Sequence, residues 1–209
     1  MTPPEVPTLD YETTYWKSGL LRVAGVDEAG RGCWAGPVTA AAVILPASGG
    51  IQNVLLGVRD SKKLTAKQRE QLLSVIREKS LYWGVGWASN VEIDAIGIVP
   101  ATRLAMVRAI TGSMPAPQAL LIDAISLPDL EIPQQSMNFG DLISLSIAAA
   151  SICAKVFRDR WMEQAGQMYS SYGFAQHKGY GTRQHRQALN RLGACPIHRM
   201  SFRPLGKES

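Results

Sequence analysis

A mostly apolar run from Leu21 to Val26 stops at two adjacent acids, Asp27 and Glu28, and passes into the glycine-rich turn Gly30-Arg31-Gly32. Its core, Arg22 to Val26, reads as a buried first strand. Val38 to Leu45 reads as a second, closed by Pro46 and the loop Ser48-Gly49-Gly50. Leu72, Leu73 and Ile76 fall on one face of a helix predicted from about Ala66 to Lys79, with Thr65 as its N-cap. Leu81 to Ala88 alternates Tyr82 and Trp83 with small residues as a strand does. Val91 to Ile110 reads as two short helices separated near Gly97 to Pro100. Ala119 to Asp123 is a further buried strand that again closes on an acid. A long Ala-rich helix is expected from about Ser144 to Met168, and a last one from Arg183 to Leu192, stopped at Gly193.

Strands followed by helices set between further strands define an α/β fold, a mixed sheet flanked by helices. From about Ser170 a small helical C-terminal appendage is added. The organisation expected is a core over residues 17–169, a basic helical segment over 170–209 that contacts substrate, and a flexible N-terminus over 1–16 with no assigned function. A chain of 209 residues with 46% hydrophobic and 19% charged residues is long enough for a substantial core. Its longest weakly polar run, Leu142 to Ala154, is short of the roughly 20 residues a bilayer span requires. Cys33, Cys153 and Cys195 lie far apart without CxxC spacing, against both a disulfide framework and a zinc knuckle. With no secretory signal pattern, a cytoplasmic location is expected, and with no coiled-coil pattern a monomer.

The net charge of +5 is unevenly placed. Residues 170–209 carry seven Lys or Arg against one acid, and all three histidines, His177, His185 and His198, lie there too. A solvated basic tail would have this composition. Because the segment also has aromatics and a helical pattern, the expectation is a folded face for a polyanion.

Four acids share one kind of position. Asp27 and Glu28 end the first strand, Asp123 ends a later one, and Asp141 opens the long helix. Taken singly, Asp123 could start a turn and Asp141 could cap a helix. If the strand ends are neighbours, the four converge, and mutual repulsion calls for divalent cations. Oxygen-only ligands fit Mn²⁺ or Mg²⁺ better than zinc. Two such ions about 3.5–4 Å apart are a usual apparatus for phosphodiester hydrolysis. A binding module that holds nucleic acid and uses its acids structurally stays open at this point. A phosphotransferase ranks low, because the chain has no GxxxxGK[ST] loop.

The blocks Gly25-Val26-Asp27-Glu28-Ala29-Gly30-Arg31-Gly32, Asp60-Ser61-Lys62-Lys63-Leu64, Asp123, Ser146 to Ile152 with Ala154-Lys155 and Arg158-Asp159, and His177-Lys178-Gly179-Tyr180-Gly181 occur in one order. Together, from about residue 21 to 203, the chain resembles prokaryotic ribonuclease HII. The resemblance implies a ribonuclease H-like fold. It also implies a metal-dependent endonuclease that cuts RNA in RNA/DNA hybrids and 5′ of single ribonucleotides in duplex DNA, leaving 3′-hydroxyl and 5′-phosphate ends. It makes Asp27, Glu28, Asp123 and Asp141 the catalytic metal ligands. By the same likeness Gly30, Arg31 and Gly32 read the ribose 2′-hydroxyl, Tyr180 packs on the following deoxyribose, and Lys62 contacts a phosphate. A related type of ribonuclease H usually has Gly-Lys-Gly at the turn and a long extra N-terminal domain, so Arg31 and the short N-terminal stretch favour HII. One departure stands out: the family commonly has Lys-Gly-Asp before the long helix, and this chain has Phe139-Gly140-Asp141.

Overall fold

The computed structural model describes residues 6–206. In chain order its elements are α1 (Asp10–Lys17), β1 (Val23–Ala29), β2 (Val38–Ile44), α2 (Gly50–Val54), α3 (Ala66–Lys79), β3 (Tyr82–Ala88), α4 (Asn90–Ile96), α5 (Ile98–Ile110), β4 (Ala119–Asp123), β5 (Gln134–Met137), α6 (Gly140–Ile143), α7 (Leu145–Met168), α8 (Phe174–His177) and α9 (Arg183–Leu192). The strands form one mixed sheet in the order β3-β2-β1-β4-β5. β1 runs antiparallel to β2 and parallel to β4, and β4 is parallel to β5. Asp27 and Asp123 therefore lie at the same end of neighbouring central strands.

Side chains alternate across the sheet, so β2 serves two cores at once. Ala41, Val43 and Leu45 pack beneath α3 and α7, whereas Val38, Ala40, Ala42 and Ile44 pack against α4 and α5. Both faces of the sheet are covered, and β2 is buried throughout. α7 approaches β1 so closely that a Cβ on Gly25 would stand 2.1 Å from the Ser146 carbonyl carbon. Glycine there, with Ala148 and Ala149 on the helix, brings the start of α7 against the strand that carries Asp27.

Local signals account for several boundaries. Thr65 caps α3 with Gln68 answering in a reciprocal capping box, and Thr182 accepts from His185 N at the start of α9. Gly97 separates α4 from α5, and Pro100 sits in the first turn of α5, where it is tolerated. Besides the one-turn helices α6 and α8, three elements were not anticipated. α2 occupies the segment after Ser48 that reads as a loop, and β5 is a polar edge strand. The third, α1, corrects the expectation of a flexible stretch over 1–16. Residues 10–17 are helical, and the fully buried Glu12 accepts hydrogen bonds from Ser144 Oγ (2.6 Å), Ser146 N (2.9 Å) and Ser146 Oγ (2.6 Å). These bonds are 132 or more residues apart in sequence, so no local pattern announces them. Residues 1–5 of that expectation lie outside the described residues. Among the described residues no helix is long and apolar enough to cross a membrane, and all three cysteines are free.

Candidate active site

β1 delivers Asp27 and Glu28 to the rim of the sheet, and Gly30, at φ +87, turns the chain away. Alternation along β1 puts Asp27 on the face covered by α7 and Glu28 on the other. Asp27 is buried, and its Oδ1 accepts from Glu28 N at 2.6 Å. Asp123 closes β4, and its Oδ1 accepts from Gly140 N at 2.7 Å, which fixes the turn that presents the buried Asp141. Lys62 comes from a short 3₁₀ turn capped by Asp60, and its Nζ lies 3.5 Å from Asp141 Oδ2. That turn is held down by a buried contact of 2.9 Å between Ser61 Oγ and Ser151 Oγ on α7, and by Arg69 donating to the carbonyls of Ser61 and Leu64.

The acids perturb one another. Burial first, then Glu28, Asp123 and Asp141, push Asp27 well above the usual carboxylate range, against a hydrogen bond from Ser151. Glu28 is pushed up to about 7 by burial and by Asp123, with Arg31 and Lys62 pulling the other way. Burial also raises Asp123, opposed by the Gly140 bond and assisted by Asp141. For Lys62, burial opposes the charge, but Asp141, Asp60 and Asp27 more than offset it and hold the ammonium above the ordinary lysine range. The protein's own countercharges are weak: Lys62 is largely exposed, and Arg31 reaches Glu28 only at 3.8 Å.

Proximity falls short of a closed coordination shell. As the side chains stand, no three His, Cys, Asp or Glu among the described residues form a metal-holding group. Each carboxylate is turned to a different partner, and Glu28 starts from the opposite face. Yet the donor set suits a hard cation: all oxygen, mutually repelling, with Glu28 Oε2 buried and lacking any hydrogen-bond partner.

Beside the acids lies a second cluster. Gly30 is required by the fold twice, through its positive φ and because a Cβ there would meet Arg158 Nε at 1.7 Å. Gly32 is different. It is exposed, and a Cβ on it would meet nothing within 4 Å, so the surrounding protein leaves room there for a side chain. Tyr180 stands near by, 42% exposed, with Lys155 Nζ and Arg158 Cζ 5.7 and 5.8 Å from its ring centroid. Trp34 N donates to Gly179 O at 2.9 Å, which ties the turn after Gly32 to the loop bearing Tyr180.

Two arginines bind this cluster together from below, and charge counting misreads one of them. Arg199, assigned above to a polyanion-binding face, is fully buried. Its Nη2, Nη1 and Nε donate to the carbonyls of Gly30 (2.8 Å), Arg31 (2.8 Å) and Gly36 (2.9 Å). Arg158 likewise donates to Pro37, Lys178 and Ala35. The three histidines of the segment are buried too, so they add no positive face, whereas Arg183, Arg186, Arg191 and Arg203 are exposed. Burial is invisible in composition. The signal for Arg199 was its place beside His198, in a segment anchored to Ala35.

A five-stranded mixed sheet with helices on both faces and acids at the ends of its central strands defines a ribonuclease H-like α/β protein. The Ribonuclease HII family model matches residues 24–204, and the chain belongs to that family. Ribonuclease HII of Desulfitobacterium hafniense (strain Y51) is 51% identical over 197 residues, covering 94% of this chain and 74% of that protein. Ribonuclease HII of Chloroflexus aurantiacus is 51% identical over 201 residues, covering 96% and 95%. Among solved structures, ribonuclease H2 from Pyrococcus horikoshii OT3 superposes with a TM-score of 0.75 at 27% identity, over 88% of this chain and 95% of that one. The protein is a ribonuclease H endonuclease.

Proposed function

We propose that this endonuclease hydrolyses the phosphodiester 5′ of ribonucleotides, both in RNA/DNA hybrids and at single ribonucleotides embedded in duplex DNA, leaving 3′-hydroxyl and 5′-phosphate ends. The observation that carries this reading is the group of four acids, Asp27, Glu28, Asp123 and Asp141, at one rim of the sheet. Three have pKa values raised by burial and by one another, and Glu28 Oε2 is buried without a partner. These residues would hold Mn²⁺ or Mg²⁺. When bound, such ions activate water and stabilise the departing oxygen.

The chain's own groups supply recognition. The backbone at Gly30-Arg31-Gly32 faces the ribose 2′-hydroxyl, the group that separates RNA from DNA. Support comes from Gly32, where the protein leaves open space that a sugar could fill. Tyr180 packs on the next deoxyribose, and Lys62, exposed beside Asp141, contacts a backbone phosphate. Arg183, Arg186, Arg191 and Arg203 give residues 170–209 an exposed basic surface for the duplex. The protein acts as a monomer in the cytoplasm on this reading.

A labelled DNA duplex with one ribonucleotide, incubated with and without Mg²⁺ or Mn²⁺ beside an all-DNA control, tests the proposal. Metal-dependent nicking 5′ of the ribonucleotide is expected, with none in the control. Asp27→Asn or Asp123→Asn should lower the rate by at least about 10³-fold while leaving duplex binding largely intact. Near-normal turnover in both variants would remove these acids from the chemistry. Tyr180→Ala should impair cutting at a lone ribonucleotide more than cutting of long hybrids, and equal losses on both would count against its sugar contact.

A further inference from the structure

The C-terminal segment holds a group that the nuclease chemistry leaves unexplained: three buried imidazoles in mutual contact. His177 and His185 stack with centroids 4.4 Å apart, and the rings of His185 and His198 lie 5.2 Å apart. Their hydrogen-bond partners assign every proton. His177 Nδ1 accepts from Gly179 N at 3.2 Å, so its Nε2 carries the hydrogen given to Tyr172 O at 2.8 Å. His185 Nδ1 faces the Tyr180 carbonyl at 3.0 Å and must donate, which leaves Nε2 as an acceptor. His198 Nε2, 3.0 Å away, donates to it. His198 Nδ1 then accepts from Cys195 N at 2.9 Å and from the Cys195 thiol at 3.1 Å, and its 3.2 Å approach to Cys195 O is a contact only.

All three rings are thus neutral, and each is satisfied at both nitrogens. A further proton would set N–H against N–H at Gly179, between His185 and His198, or at Cys195. The titratable groups facing the cluster are the imidazoles themselves, the Cys195 thiol and the Tyr172 hydroxyl, which donates to Gly193 O. Burial lowers all three imidazole pKa values, that of His185 to about 4.

The bonds end on the two peptide groups that flank the Gly179–Tyr180 linkage. His177 takes Gly179 N–H and His185 gives to Tyr180 O, so two rings grip the Gly179-Tyr180 unit from both sides, while Gly179 O receives Trp34 N–H from the turn region. We infer that His177, His185 and His198 are positioning residues, a neutral relay hydrogen-bonded from His198 to His185 and stacked from His185 to His177, that sets the backbone of Tyr180 and thereby aims its ring at the sugar beside the ribonucleotide. This rests on the reading of Tyr180 given above.

Asparagine and glutamine separate the two nitrogens of His185. In His185→Asn the amide can still donate to Tyr180 O from near the Nδ1 position, whereas His185→Gln presents its amide near Nε2 and loses that bond. For a duplex with one embedded ribonucleotide, KM should rise about fivefold in His185→Gln, with kcat little changed. That ratio equals one lost hydrogen bond of ~1 kcal/mol. On a long RNA/DNA hybrid the change should stay under about twofold, and His185→Asn should restore the single-ribonucleotide KM. In a Tyr180→Ala background, His185→Gln should add nothing.

Equal behaviour of the Gln and Asn variants would overturn the relay. So would a His185→Gln effect that persists undiminished without Tyr180, or early melting with equal losses on both substrates. His198→Asn, which keeps an amide oxygen near Nδ1 for Cys195 N but loses the Nε2 donor to His185, should show the same substrate bias more weakly; no bias there counts against the relay. Nitrogen-15 spectra at about pH 7 should show His185 protonated at Nδ1 and the other two at Nε2, and an imidazolium signal from any of the three refutes the scheme. The underlying Tyr180 reading fails separately, if Tyr180→Ala alone leaves the two substrates equally affected.

Discussion

Buried ionisable side chains gather in two parts of this molecule, at the strand ends around Asp27 and in the C-terminal flank around His185, and the fold treats them in opposite ways. At the strand ends like charges are packed together, countercharges are distant or exposed, and Glu28 Oε2 has no partner at all. In the flank every imidazole nitrogen has a partner, and the two buried guanidiniums nearby donate to backbone carbonyls. The first region is left wanting a cation. The second is complete by itself, and it holds a loop in place. On the proposed reading the first region binds and the second positions, and the two differ in how fully their buried polar atoms are satisfied.

The largest expected effect sharpens that contrast on the satisfied side. Arg199→Met strands three carbonyls, those of Gly30, Arg31 and Gly36, and should lower unfolding free energy by about 3 kcal/mol in a urea titration, with Arg199→Lys recovering little of it. A loss below about 1 kcal/mol would mean water replaces the guanidinium, and the flank would not be the closed structure described.

A difference in pH response comes next. Glu28 has a folded pKa raised to about 7 from 4.5, so between these values the folded state holds a proton the unfolded state lacks, and stability falls as pH rises. His185 has a folded pKa lowered to about 4 from 6.5, so across that window the unfolded state holds the extra proton, and stability rises with pH. In metal-free protein the two slopes oppose one another from about pH 4.5 to 6.5. Relative to the parent, Glu28→Gln should shift the slope toward a rise with pH through that range and His185→Asn toward a fall, both read from melting temperature. Parallel slopes in the two variants would break the comparison.

The smallest effect concerns the rim of the acidic region. Phe139 sits at φ +60 and ψ +36, the left-handed region, and the residue is 66% exposed. Replacing it with glycine should raise stability by about 1 kcal/mol, seen as a higher melting temperature, because the backbone strain disappears and little packing is lost. A destabilised Phe139→Gly would show that the ring has a contact worth more than the strain.

Much of the fold was legible where the cause is local. The capping pair Thr65 and Gln68 and the stop at Gly193 mark helix ends within a few residues of one another, so α3 and α9 could be bounded from sequence. α1 could not, since its buried Glu12 is answered by serines far along the chain. β5 could not either, because Gln134–Met137 is a polar edge segment without alternation. For the site, adjacent acids at a strand end were conspicuous, but their closeness to Asp123 depends on β1 lying beside β4, a fact of strand order that no motif carries. Arg199 and the histidines were counted correctly as residues and wrongly as surface. Periodicity reports which face an element buries; it is silent on polar groups buried through hydrogen bonds in irregular segments.

The Glu12 carboxylate bears on how a polyanion can be held. By accepting from Ser146 N and two hydroxyls it occupies the amino-terminal end of α7 from within the fold. The Ser146 amide there is therefore not free to bind a phosphate. With that helix end occupied, the exposed side-chain cations Arg183, Arg186, Arg191 and Arg203 are what the flank offers a nucleic acid backbone, and on the proposed reading that makes the grip on substrate adjustable by salt.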